Sequence, residues 1–323
     1  MARQHTSQQE KRRKRNRLDR KRDLISFSLW SDSELSETLS LAQRIRNGER
    51  KNYSPLAGRT VALIFERESL RTRVSFEVGI AQLGGHSIFL QQETVGMATR
   101  ESVHDIGSVL SQYNDLIVAR TTKHQTCVQL AESASIPVIN AMTDLVHPCQ
   151  VLADLFTLQE LGKLSPSTRI AFVGNGSNVV NSWLELAEKF HIQFIFSCPP
   201  GYEPHSQILD QAMAAGRSNI SSVQDPLEAV RNADVIYTDV WPELQSSDTE
   251  AQRNKIFKPY QVNELLLKDA KPDCLVMHRL PANRGEEITR DVLDGRHSIV
   301  LKQAENRLHV QKGIMVFLLK PTD

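Results

Sequence analysis

Short apolar runs alternate along this chain with longer stretches in which hydrophobic and polar positions mix. Runs at 61–65, 87–90, 116–119 and 137–140 read as strands, and the segments 71–83, 103–111 and 127–133 between them read as helices. Strands separated by helices of this length imply a parallel sheet with helices on both faces. An earlier helix opens at Ser31-Asp32-Ser33-Glu34-Leu35 with capping residues, and Leu35, Leu39, Leu41 and Ile45 mark its buried side. Residues 148–161 form a long amphipathic helix, a natural connector. A second alternation begins at 169–174 and continues through the runs 193–196, 235–238, 275–277 and 299–301. Residues 304–319 read as a closing helix long enough to cross back over the first half. The pattern predicts an α/β protein of two three-layer domains with parallel sheets. The first spans 24–147 and is completed by 304–323; the second spans 148–303.

Composition agrees with that division. A chain of 323 residues, 40% of them hydrophobic, suits two domains of ordinary size. No apolar run approaches the roughly 20 residues needed to cross a bilayer, and no signal-peptide core is present. A soluble protein with no membrane partner is expected. Cys127, Cys149, Cys198 and Cys274 lack paired metal spacing and sit in or beside apolar segments. They read as reduced thiols of a cytoplasmic protein, with no zinc site and no disulfide framework.

The net charge of +1 hides an asymmetry. Residues 1–23 hold ten basic and three acidic side chains, net +7, leaving 29 basic and 35 acidic in the remainder, net −6. The arm therefore reads as a separate, disordered and solvated object. A nucleic-acid tether is the less favoured reading, because no aromatic side chains interleave the charges to stack on bases. A mitochondrial presequence fits poorly, since acidic residues interrupt the arm and it has no apolar face.

Candidate chemistry concentrates where the first strand turns into the first helix of its unit. Ser69, Arg71 and Thr72 fall at that helix N-terminus. Backbone N–H groups, the favourable dipole end, two hydroxyls and a bidentate cation are together what a phosphate needs. Gly174-Asn175-Gly176 after the strand at 169 looks like the opening of a dinucleotide fingerprint. Its third glycine is replaced by Val179 and no ribose-binding acid follows, which argues against a nicotinamide cofactor.

Two further motifs lie downstream: His147-Pro148-Cys149-Gln150 with Asp154, and His278-Arg279-Leu280-Pro281. With Ser69-Leu70-Arg71-Thr72-Arg73 they stand in the order of the aspartate/ornithine carbamoyltransferase family, which the chain resembles from about residue 22 onward. The His-Pro-Cys-Gln form leans towards the ornithine branch. The resemblance implies the carbamoyltransferase fold and transfer of a carbamoyl group from carbamoyl phosphate to an amine, with ornithine giving citrulline. It implies a homotrimer and no cofactor or metal. It assigns carbamoyl phosphate to Ser69, Leu70, Arg71, Thr72, Arg120, His147, Gln150, Arg279, Leu280 and Arg307. It assigns the amino acid to Asn178, Asp239, Glu243 and Leu244, and the chemistry to Arg120, His147, Asp239 and Arg279. Fixed cations and donors there would hold the charge that grows on the carbonyl oxygen and the leaving phosphate.

Several positions depart from the family pattern. Glu243-Leu244-Gln245 stands where the ornithine branch has Ser-Met-Gly, and Arg279 where it has cysteine. Leu70 replaces a threonine, and Gly96 a glutamine that a neighbouring subunit contributes. A guanidinium at 279 favours deprotonation of an incoming ammonium but repels it, and pairing of Arg279 with Glu243 is expected to compensate. An acidic or acylated acceptor suits Arg279 better than ornithine. A different amine acceptor and a catalytically impaired, binding or regulatory relative thus stand beside ornithine as alternatives.

Overall fold

The computed structural model describes residues 21–49, 53–97, 100–242 and 249–320. Its two parallel sheets have the order β2-β1-β3-β4 and β7-β6-β5-β8-β9. The first unit runs α1 (Asp32–Arg46), β1 (Thr60–Phe65), α2 (Leu70–Gln82), β2 (His86–Gln91), a single turn α3 (Gln92–Val95), α4 (Val103–Tyr113), β3 (Leu116–Arg120), α5 (His124–Ser133) and β4 (Val138–Met142). The helix α6 (Pro148–Glu160) leads to the second unit. That unit runs β5 (Arg169–Val173), α7 (Asn178–Ala187), β6 (Gln193–Ser197), α8 (Ser206–Ala215), β7 (Asn219–Ser222), α9 (Pro226–Val230) and β8 (Val235–Thr238). It continues through α10 (Glu250–Phe257), α11 (Glu264–Leu267), β9 (Leu275–His278) and α12 (Arg290–Leu293). The last described helix, α13 (Val300–Leu318), packs on α1, α6 and α2.

The capping box expected at the start of α1 is present: the Ser31 hydroxyl accepts from the Glu34 N–H, and the Glu34 carboxylate accepts from the Ser31 N–H. Strands β1 and β3, covered on both faces, are apolar and buried except at Thr60, which opens β1, and Arg120, which ends β3. α6 is buried along nearly its whole length, including Asp154, Gln150 and Thr157. It serves as the seam between the units.

Two expectations change. The run 299–301 is not a strand: Ser298 makes a single bridge to Val276, and the chain turns helical at Val300. A three-residue apolar run carries no periodicity, and here Val300 is buried in the first turn of the helix while Leu301 is exposed. The fifth strand of the second sheet is instead β7, a half-exposed polar edge strand with no apolar signature. The last residues of the expected arm also belong to the fold. Asp23 accepts from the Val138 N–H at 2.7 Å, Arg22 pairs with Glu34 at 2.7 Å, and Leu24 bridges to Ile139. Residues 1–20 lie outside the described residues.

In each sheet the strand order reverses beside its first strand, between β1 and β3 and between β5 and β8. Loops leaving the carboxyl ends of such strands diverge and open a crevice. Residues 66–69, Arg120, Gly174 and Asp239 all lie at these ends.

Candidate active site

A cavity of about 290 Å³ lies at the carboxyl ends of β1 and β3, where α2, α6 and α13 converge with the chain leaving β9. Ser69, Leu70, Arg71, Thr72, Arg120, His147, Arg279, Leu280 and Arg307 all line it, with Glu68 and Pro281. A neighbouring cavity of about 390 Å³ shares Leu70, Arg71, Arg279 and Arg307 and adds Gln150 and Gln303. Nine of the ten residues the sequence suggested for phosphate thus meet at one cavity, and the tenth, Gln150, lies against Arg307.

The α2 N-terminus builds one wall. Ser69 is the N-cap: its hydroxyl oxygen accepts from the Thr72 N–H at 3.3 Å, and its O–H donates to Thr72 Oγ1 at 2.8 Å. Arg307 Nη2 donates to the same Thr72 oxygen at 2.8 Å and Arg120 Nη1 approaches it at 3.4 Å. Three donors facing one hydroxyl exceed its two lone pairs, and anionic oxygens suit such a convergence. Leu70, 74% exposed, supplies no donor from its side chain.

Four guanidinium groups surround the space. Arg120 is held down to about 10 by burial first and then by Arg307, Arg279, Arg71 and Arg67. Burial is also the largest cause at Arg307, held at about 10. Both remain charged at neutral pH. Arg120 Nε and Arg307 Nε are buried without a partner. Burial, and then Arg307, Arg279 and Arg120, push the His147 imidazole well below its ordinary value, so it is neutral. His147 is the N-cap residue of α6, yet its ring makes no cap bond and Nδ1 has no partner. Its backbone N–H donates to Ser182 Oγ at 2.7 Å, which fastens the seam to α7.

On the side of the second unit, Asp239 follows β8 and is 1% exposed. Arg279 Nε lies 2.7 Å from both of its oxygens. Asp239 Oδ1 also accepts from the Val240 N–H at 2.9 Å, and Ser177 Oγ stands 3.4 Å from Oδ2. Arg279 Nη1 reaches Met142 Sδ at 3.6 Å, the same sulfur that Arg120 Nη1 approaches at 3.2 Å. The guanidinium at 279 thus leans its Nε edge on Asp239 and brings Nη1 to the sulfur it shares with Arg120. The expected partner Glu243, with Leu244 and Gln245, lies outside the described residues. Among the described residues the carboxylate that takes Arg279 is Asp239.

Asn178 stands apart from the cavity. Its amide donates to the Thr143 carbonyl at 2.7 Å, tying α7 to the chain after β4, while its Oδ1 is buried without a partner. Gly176, read as part of a possible nucleotide loop, serves the chain itself. A Cβ there would stand 2.5–2.6 Å from the backbone of residues 202–204, and its N–H donates to the Tyr202 carbonyl. Leu280 holds φ +56, uncommon for a branched side chain. His278 and Glu287 brace it: Leu280 N–H donates to His278 Nδ1 at 2.9 Å, and His278 Nε2 meets Glu287 at 3.1 Å.

Sequence reading missed a buried polar hub behind the site. Asp154 Oδ1 accepts from Gln150 Nε2 at 2.8 Å and Gln303 Nε2 at 2.9 Å, and its Oδ2 accepts from Tyr237 Oη at 2.9 Å. A polar residue at an inward position of the α6 pattern was the available signal. The described residues hold no group of three His, Cys, Asp or Glu that could bind a metal ion. All four cysteines are free and buried, their thiols pushed up by burial.

This geometry has counterparts. The carbamoyl-P binding domain of the aspartate/ornithine carbamoyltransferases matches residues 22–160, and their Asp/Orn binding domain matches residues 167–318. The ornithine carbamoyltransferase of Chlorobaculum tepidum is 46% identical over 305 residues, covering 93% of this chain and 90% of that protein. That of Syntrophus aciditrophicus is 44% identical, covering 93% and 100%. Among solved structures, the ornithine carbamoyltransferase from Pyrococcus furiosus superposes with a TM-score of 0.87 at 41% identity, covering 92% of this chain and 96% of that one. The Thermus thermophilus enzyme gives 0.84 at 41% identity, covering 92% and 99%. With both domains matched and relatives this similar along nearly their whole length, the chain belongs to the aspartate/ornithine carbamoyltransferase family.

Proposed function

We propose that this protein transfers the carbamoyl group of carbamoyl phosphate to the side-chain amine of ornithine, giving citrulline and phosphate. The observation that carries the reading is the convergence of Arg71, Arg120 and Arg307 with the Ser69–Thr72 helix start on one cavity. Its chemistry follows from charge. Attack of a neutral amine on the carbamoyl carbon builds negative charge on the carbonyl oxygen, and cleavage of the C–O bond leaves it on phosphate. Arg71, Arg120 and Arg307 hold the phosphate, while Arg120 and the neutral His147 stand at the carbonyl. Donors fixed in a dry site stabilise that charge without reorganising. The surrounding guanidinium groups also favour loss of a proton from an incoming ammonium.

A second reading has one observation in its favour. Arg279 lies on both oxygens of Asp239, so an ammonium entering there meets a carboxylate already paired. An acceptor that carries a carboxylate close to its amine would find the outer nitrogens of Arg279 instead. A product assay with carbamoyl phosphate and a panel of amines (ornithine, acylated ornithines, putrescine, aspartate) separates the two. Citrulline formed at ordinary enzyme rates supports the first reading. Turnover confined to another amine supports the second, and silence with every amine refutes both.

The same proposal includes a homotrimer working in the cytoplasm. Support comes from the family resemblance and from four reduced, buried thiols. A monomer by light scattering at micromolar concentration would contradict the trimer.

A further inference from the structure

Asp154 sits where α6, β8 and α13 meet, fully buried, and does not touch the cavity. Its three partners continue outward to elements that do. The Gln150 amide that donates to Asp154 accepts at its other end from Arg307 Nη1 at 3.1 Å. The Gln303 amide that donates to Asp154 accepts at its other end from the His278 N–H at 3.0 Å. Tyr237 lies two residues before Asp239 on β8. Gln150 is 2% and Gln303 1% exposed, so both amides are shut away from water.

An amide has a donor end and an acceptor end, and a buried glutamine must choose which way to point. The Arg307 guanidinium and the His278 N–H can only donate. Were either glutamine turned over, its NH₂ would face those donors and its oxygen would face the oxygen of Asp154. Either inversion leaves buried donors and acceptors unsatisfied, which a packed interior disfavours. The hub therefore has one consistent polarity, held at the inner end by the oxygen of Asp154 and at the outer end by the two donors.

We propose that Asp154 is a positioning residue: by fixing the direction of the Gln150 and Gln303 amides, it aims Arg307 at the phosphate cavity and holds the strand end that carries His278 and Arg279. One carboxylate thus aligns the phosphate half and the acceptor half of the site from behind. The inference rests on the reading that Arg307 binds phosphate. The two halves of the site then depend on a residue that contacts neither substrate.

Three variants of the full-length protein test it, each read by thermal unfolding, by calorimetry with inorganic phosphate and by steady-state kinetics. Asp154→Asn still presents an oxygen to both glutamines, and its NH₂ makes the Tyr237 hydroxyl the acceptor instead of the donor, so phosphate affinity stays within about threefold of the unmodified protein. Asp154→Leu removes the acceptor that anchors both amides at their NH₂ ends, loosens their aim and weakens phosphate by about tenfold or more. Gln303→Met breaks only the arm to His278. It raises the acceptor KM by about fivefold while phosphate affinity holds.

A loss in Asp154→Asn equal to that in Asp154→Leu would assign the effect to charge and overturn the relay. So would a folded Asp154→Leu protein that binds phosphate normally. If Asp154→Leu does not fold, an unchanged acceptor KM in Gln303→Met overturns the proposal on its own. Phosphate bound by the unmodified protein without turnover of any amine would refute the reaction, while the phosphate arm of this test still decides the relay.

Discussion

Replacing Arg279 by cysteine, the residue of the ornithine branch at this position, separates the stability of the acceptor pocket from its selectivity. In the structure Arg279 Nε lies 2.7 Å from both oxygens of Asp239, a carboxylate 1% exposed. Without the guanidinium, Asp239 keeps one good hydrogen bond, from the Val240 N–H, and a long one from Ser177. Removing one member of a buried ion pair costs roughly 3–5 kcal/mol because the other charge is left uncompensated. A second effect opposes it. Arg71, Arg120 and Arg307 are lowered first by burial and then in part by Arg279, and loss of Arg279 relieves that repulsion. Charges about 10 Å apart at an effective dielectric of about 20 interact by about 1.7 kcal/mol, so the relief offsets part of the cost. Relief equal to one such pair leaves a net loss of about 1–3 kcal/mol. At about 2–4 °C per kcal/mol for a domain of this size, the melting temperature falls by roughly 2–12 °C. Arg279→Cys with Asp239→Asn should recover most of it, because a neutral amide needs no countercharge. Selectivity moves the other way, since freeing Asp239 should lower the KM for ornithine. Urea unfolding and ornithine kinetics on both variants read these effects. A single variant within about 0.5 kcal/mol of the unmodified protein, or a double variant no more stable than the single, would refute the pairing as the organiser of the pocket.

Further predictions concern other parts of the molecule. Arg71→Ala should abolish carbamoyl phosphate binding by calorimetry while leaving the unfolding temperature nearly unchanged, because Arg71 lies on the cavity wall outside the packed core. Glu185, 6% exposed and bonded to the Phe27 N–H, is pushed up by burial to about 7 from 4.5. A carboxyl raised in the folded state loses stability as pH rises from about 4.5 to about 7, at about 1.4 kcal/mol per unit. Glu185→Gln should therefore be more stable than the unmodified protein at pH 8 by up to about 3 kcal/mol, and melting curves at pH 5 should show the advantage gone. Gln311 is fully buried with neither end of its amide partnered. Gln311→Met should raise the melting temperature by a few degrees, and an unchanged or lower value would mean that the amide is satisfied by ordered water.

The sequence reading located the scaffold well where physics is local. Alternation of apolar runs and amphipathic segments placed eight of the nine strands of the described residues; the inner strands are apolar because both their faces are covered, and the edge strand β2 keeps a short apolar run. It failed where tertiary context decides. β7 is polar and lies at a sheet edge, so nothing in Asn219–Ser222 distinguishes it from a loop. At 299–301, three apolar residues satisfy either a strand or a helix start. The phosphate wall was legible because residue types there answer directly to anion chemistry. The Arg279–Asp239 pair was not, because it joins positions forty residues apart on two strand ends. The Asp154 hub was hidden for the same reason, although Asp154 itself stands in a motif the sequence displays.

The position of α13 in the chain bears on how the protein is made. This helix packs on α1, α6 and α2 and brings Arg307 to the phosphate wall. Gly313 allows the closest approach: a Cβ there would stand 2.7 Å from the Thr38 carbonyl. The helix that covers α1 and α2 therefore leaves the ribosome only after more than two hundred further residues have followed α2. At roughly 5–20 residues per second, apolar faces of the first unit wait ten seconds or longer for their cover. During that interval the nascent chain offers a surface that holding chaperones recognise, and a ribosome stalled before residue 300 releases a first domain with an open core.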